Sequence, residues 1–89
     1  MDVTIALPCG PKREIENVVR EYSDLLRRSG AKLVRKRPVW ARDAERLEFD
    51  IRVDDLRVVA EAFDSRGIPL FIINDDGDCS PYYAGGTIH

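Results

Sequence analysis

The segment RLEFDIRV at residues 46–53 decides the fold, because every second residue in it is apolar: Leu47, Phe49, Ile51 and Val53. A period of two residues is typical of a β-strand with one buried face and one solvated face. Three further segments are predicted strands, at residues 3–7, 31–40 and 68–73. The sequence therefore predicts a sheet that is open to solvent, at least in part, on one face.

Two segments have the periodicity of amphipathic helices. Residues 12–29 carry apolar side chains at the i, i+3, i+4, i+7 spacing, and Gly30 follows them where a helix end favours glycine. Asp54 can cap a second helix, which Gly67 ends. The apolar positions of helices and strands predict this core: Ile15, Val19, Tyr22, Leu26, Phe49, Ile51, Val59, Phe63, Leu70 and Ile72.

The order of these elements is strand, helix, strand, strand, helix, strand, with an optional fifth strand after the turn at residues 74–78. This is the order of a ferredoxin-like α+β sandwich, in which two helices cover one face of a mostly antiparallel four- or five-stranded sheet. With 89 residues, of which 44% are hydrophobic, the chain has room for one core. We expect a single α+β domain over residues 1–89.

Composition excludes several classes of function. The formal net charge of -2 gives no general attraction to nucleic acid or to an anionic membrane. The longest apolar run, residues 68–73, is far shorter than the roughly 20 residues of a membrane span. The N-terminus has no basic segment typical of a signal peptide, so a cytoplasmic location without a membrane partner is expected. Cys9 and Cys79 are then predicted to be free thiols.

An acidic cluster carries the leading functional hypothesis. In the ferredoxin-like order, the strands at 47–53 and 68–73 flank the second helix and run parallel to each other. Their C-terminal ends therefore lie at the same end of the sheet. Carboxylates are ligands that Ca²⁺ prefers. We therefore predict a small non-enzymatic binding protein with a divalent-cation site made by Asp54, Asp55, Asp75, Asp76 and Asp78. The alternative is structural, because Asn, Asp and Gly are the ordinary residues of a hairpin turn.

A second hypothesis concerns Cys9, which lies between a strand and a helix start, where a thiol pKa is lowered. CGPK at residues 9–12, followed by a long helix, resembles the CGPC motif of the thioredoxin-like superfamily. RGIPLFII at 66–73 also resembles that family's segment in which a cis-proline opens a buried strand. The resemblance implies a thioredoxin-like fold and a monothiol protein, with Cys9 as nucleophile and Lys12 at the position of the resolving cysteine. The alternative is that Cys9 is a small, half-buried residue.

A third hypothesis is a nucleic-acid or protein interaction module built on the basic strand at residues 32–46. Trp40 is flanked there by six cations: Lys32, Arg35, Lys36, Arg37, Arg42 and Arg46. Nucleic acid is disfavoured, because residues 46–53 lack the aromatic pair of RNA-binding sheets, and an edge strand protected by charge is the structural alternative. We do not predict an enzyme, because His89 is the last residue and no catalytic constellation can be assembled without it.

Overall fold

The computed structural model describes residues 1–9, 15–35, 39–41 and 46–82. Within these ranges the chain forms two helices and six strands. In chain order they are β1 (Asp2–Pro8), α1 (Ile15–Arg28), β2 (Lys32–Leu33), β3 (Val39–Ala41), β4 (Arg46–Arg52), α2 (Leu56–Asp64), β5 (Leu70–Ile73) and β6 (Cys79–Tyr82). The final strand, β6, directly follows the turn at residues 74–78 and is the optional fifth strand that the sequence predicted.

The sheet has the order β2-β4-β1-β5-β6, and β3 pairs with β4 beside β2. The central strand β1 is antiparallel to both β4 and β5, so β4 and β5 run in the same direction. This confirms the predicted α+β fold and the ferredoxin-like strand order. An antiparallel relation between β4 and β5 would instead have indicated the thioredoxin-like alternative.

Both helices cover the same face of the sheet, as the meeting of three aromatic rings from different elements shows. Tyr22 of α1 contacts Phe49 of β4 edge to face, with ring centroids 6.3 Å apart. It contacts Phe63 of α2 in the same way at 5.8 Å. Seven of the ten predicted core residues are buried, and the other three are half-buried and pack against them: Ile15, Val19 and Ile72.

Two predicted elements differ from the structure. The predicted strand at 31–40 is divided into β2 and β3, which pair with different parts of β4. The cap of α2 is Asp55 and not Asp54, because Asp55 has the extended backbone of a cap, with φ -138°, and accepts a hydrogen bond from the Arg57 N–H at 3.0 Å. Gly30 and Gly67 end their helices with positive φ angles of 93° and 72°, as predicted.

Candidate binding site on the open sheet face

The face of the sheet opposite the helices carries charged side chains that are largely paired with one another. Alternation along β4 places Glu48, Asp50 and Arg52 on this face, since Leu47, Phe49 and Ile51 are buried in the core. Three ion pairs link them to neighbours: Arg46 with Glu48, Arg35 with Asp50, and Arg52 with Asp2. The open face is therefore organised by side-chain pairing.

Asp50 is held by two different partners. Thr4 lies directly opposite Asp50 in the β1–β4 register, and its hydroxyl donates a hydrogen bond to Asp50 Oδ1 at 2.7 Å. Arg35 Nε lies 3.1 Å from the other carboxylate oxygen. Because each oxygen has its own partner, the carboxylate is fixed in orientation.

Asp2 accepts a bidentate pair of hydrogen bonds from the guanidinium of Arg52. Arg52 Nε donates to Asp2 Oδ1 at 2.7 Å, and Arg52 Nη2 donates to Oδ2 at 3.3 Å. The hydrogen bond from Arg52 lowers the pKa of Asp2, because it favours the charged form of the carboxyl. Both side chains are exposed, so solvent and salt weaken the pairing.

These residues surround a depression of about 350 Å³ on the open face, which we call the acidic hollow. It runs across β2, β4, β1 and β5 at one end of the sheet. Its lining includes three carboxylates, one hydroxyl, one amide and two apolar groups: Asp2, Asp50, Asp75, Thr4, Asn74, Val34 and Ile73. Sequence reasoning missed Thr4 and Asp50, although a threonine within the apolar segment at 3–7 was a usable signal.

The predicted calcium ligands do not converge on one centre. Among the residues that the structure describes, no three His, Cys, Asp or Glu side chains form a group that could hold a metal ion. Asp55 is engaged as the cap of α2, and its Oδ1 lies 3.6 Å from Arg57 Nε. Of the five predicted aspartates, Asp75 alone lines the acidic hollow, and Asp54, Asp76 and Asp78 are exposed.

The turn that carries three of these aspartates is held by hydrogen bonds between its own residues. Asn74 Oδ1 accepts hydrogen bonds from the backbone N–H groups of Asp76 and Asp78, at 3.1 and 2.9 Å. Gly77 has a φ of 87°, which favours glycine. The residues Asn74, Gly77 and Asp78 therefore have the structural role that the alternative interpretation gave them.

The environment of Cys9 opposes the predicted thiolate. Cys9 is 3% exposed, and burial raises the pKa of its thiol, because a charged sulfur is disfavoured away from water. The prediction of a lowered pKa was therefore wrong. Residues 10–14, which include Lys12, lie outside the described ranges. The peptide bond before Pro69 is trans, unlike the cis-proline bond of the thioredoxin-like segment, since the described residues contain no cis peptide bond.

The basic strand offers fewer available groups than its sequence indicated. Arg35 and Arg46 are engaged with carboxylates on β4. Trp40 lies opposite Leu47 and packs against the core, so its ring is on the helix side of the sheet. Lys32 is exposed. The other residues of this hypothesis and the last histidine lie outside the described ranges: Lys36, Arg37, Arg42 and His89.

No protein-family model, curated protein or solved structure matches this chain. The resemblance to thioredoxin-like proteins therefore stays a prediction. Neither of the two helices in the described part of the chain has the length and apolar character needed to cross a membrane.

Proposed function

We propose that the protein is a small binding module that takes a positively charged organic group into the acidic hollow. The observation that carries this proposal is the lining of the hollow, in which Asp2, Asp50 and Asp75 face one depression of about 350 Å³. A depression of this size falls in the range of small-ligand sites, about 300–1,000 Å³. It is much larger than a single metal ion needs.

The charges around the hollow favour a cationic ligand. Asp50 and Asp2 each have an arginine partner. Asp75 is exposed and has no ion pair among the described residues. The arginine partners offset the charges of Asp50 and Asp2, and the N-terminal ammonium also acts on Asp2, so the unbalanced negative charge of the lining is that of Asp75. A ligand with one positive charge would neutralise it.

The two apolar residues define the rest of the ligand. Val34 is 54% exposed and Ile73 is half-buried, and both line the hollow. They offer contact to an alkyl chain next to the charged group. Because Asp2 and Asp50 already have arginine partners, the charged group of the ligand would contact Asp75, and either a guanidinium or an ammonium can pair with such a carboxylate. We therefore propose an alkyl guanidinium or alkyl amine as the class of ligand.

Two parallel NMR titrations separate our proposal from calcium binding by the predicted aspartates. The probe for our proposal is agmatine, an alkyl chain with a guanidinium at one end and an amine at the other. Agmatine is expected to shift the amide resonances of Thr4, Val34 and Asp75 in a two-dimensional NMR titration. Ca²⁺ bound by the five aspartates would instead shift the amides of residues 54–55 and 74–78.

Two neighbouring aspartates give a matched pair of variants. Asp75→Asn removes a carboxylate from the hollow, whereas Asp76→Asn removes the same charge from the same turn outside the lining. We expect Asp75→Asn to weaken agmatine binding by about threefold to fivefold, which corresponds to a solvent-exposed ion pair. Asp76→Asn should leave it unchanged within a factor of about 1.5. Equal effects of the two variants, or no shifts at Thr4 and Val34, would show that the hollow is not the site.

A further inference from the structure

A second depression lies at the opposite end of β5 from the acidic hollow. It has a volume of about 360 Å³ and lies between the C-terminal part of α2 and the β5–β6 hairpin. We call it the apolar groove. Apolar residues make most of its lining: Ala60, Ile68, Pro69, Leu70, Phe71, Pro81 and Tyr82.

Among the described residues that line the groove, one is charged. Asp64, the last residue of α2, lines it and is exposed. Asp64 has no ion pair or side-chain hydrogen bond among the residues that the structure describes. A single carboxylate beside an apolar surface is complementary to an apolar molecule with one positive charge.

One aromatic residue adds to the same preference. Tyr82 is half-buried, lines the groove and packs against the core on the helix side of the sheet, whereas Phe71 alternates with the core residues Leu70 and Ile72 and has its ring on the open face. An aromatic ring attracts a cation at its face and offers apolar contact to the body of a ligand. The carboxylate of Asp64 and the ring of Tyr82 thus favour the same kind of molecule, whereas an anion would meet Asp64 unfavourably.

We propose that the apolar groove binds a small apolar amine, in which a ring or branched alkyl group fills the groove and the ammonium contacts Asp64. This site is separate from the acidic hollow, since the two depressions share no lining residue. The ligands also differ, because the hollow has three carboxylates and the groove has mainly apolar walls.

Phenethylamine is the probe, and 3-phenylpropanoate is its control of similar size and opposite charge. Phenethylamine is expected to shift the amides of Gly67, Leu70 and Phe71, with an affinity at least about tenfold above that of the anion. Shifts at these amides would support the groove whether or not Thr4 and Val34 also move, because the two sets of amides report on depressions that share no lining residue.

Two carboxylates of α2 provide the matched variants. Asp64→Asn should weaken phenethylamine binding by about threefold, because it removes an exposed ion pair but no apolar contact. Glu61→Gln makes the same change of charge on the same helix outside the groove and should have no effect. The spectrum without ligand shows whether each variant is folded. Equal binding of the amine and the anion, an unchanged affinity in Asp64→Asn, or no shifts in the groove at about 10 mM amine would overturn the proposal.

Discussion

Two adjacent valines on α2 provide a direct test of which side of this helix faces the sheet. Val59 is 0% exposed and Val58 is 50% exposed. The substitutions Val59→Ala and Val58→Ala remove the same atoms from neighbouring positions of one helix. Any difference between their effects on the free energy of unfolding therefore reports the difference in burial.

The expected magnitudes follow from three contributions. Loss of two buried carbon groups costs about 1.6 kcal/mol, and the cavity left at Val59 adds about 1 kcal/mol. Alanine is the better helix former by about 0.5 kcal/mol at either position. Val59→Ala should therefore destabilise the protein by about 2 kcal/mol, whereas Val58→Ala, with half of its surface already in water, should change stability by less than about 0.5 kcal/mol.

Thermal unfolding followed by circular dichroism can measure this difference. For a chain of this size, about 2 kcal/mol lowers the melting temperature by roughly 8 to 16 °C. Denaturant titration gives the same free energies independently, provided that the m-values of the two variants agree. Equal melting temperatures, or a larger loss in Val58→Ala, would refute the packing of α2 against β5 and α1.

Two further predictions concern the region where β1 ends. The Tyr22 hydroxyl donates to the Pro8 carbonyl at 2.6 Å, so Tyr22→Phe should lower the free energy of unfolding by about 1 kcal/mol at neutral pH, with Tyr82→Phe as the control. Burial raises the pKa of Tyr22, so this stabilisation is complete below the unfolded pKa of about 10 and is lost as the pH rises through the folded pKa. In urea titrations, the difference in free energy of unfolding between wild type and Tyr22→Phe should narrow as the pH rises above about 10. A difference that does not change with pH would contradict the role given to the Tyr22 hydroxyl. For the thiols, Cys79 is half-exposed and Cys9 is buried with a raised pKa, so a disulfide reagent should modify Cys79 first in the native protein; faster modification of Cys9 would show that burial does not protect it.

Much of the fold was predictable because the decisive patterns are local. The alternation in RLEFDIRV matches β4, whose residues Leu47, Phe49 and Ile51 are buried as predicted. The helix stripes identified Tyr22 and Phe63, whose rings now meet in the core. Periodicity reports which side chains share a face, and that is sufficient to orient helices and strands against one core.

The errors in the fold arose where a pattern is compatible with two local arrangements. Asp54 and Asp55 are consecutive residues of the same type before α2, and either could serve as a cap. The backbone decides between them, because Asp55 has the extended conformation that lets its side chain reach the Arg57 N–H. Similarly, the composition of residues 31–40 is that of a strand, and Pro38, which lies between β2 and β3 in the sequence, is compatible either with an edge strand or with an early end of the strand.

The site was less predictable because it depends on contacts between distant residues. Thr4 and Asp50 are 46 positions apart, and they meet because the β1–β4 register places them opposite each other. In the sequence, Asp50 is one of several charged residues on a solvated face. The predicted lowering of the Cys9 pKa was wrong for a related reason, since a position before a helix in the sequence does not report how deeply the residue is buried.

The pairing on the open face also explains why one carboxylate should control binding. Asp50 and Glu48 on β4 each have an arginine partner, and Asp2 is paired with Arg52. Within each pair, the two opposite charges lie 2.7 to 3.5 Å apart, so their electric fields nearly cancel at a distance. Asp75, which lies on the turn after β5, lines the same hollow without an ion pair among the described residues. The preference of the hollow for a cation should therefore depend on Asp75 more than on the paired carboxylates, which is why the contrast between Asp75→Asn and Asp76→Asn tests the proposal more sharply than removal of Asp50.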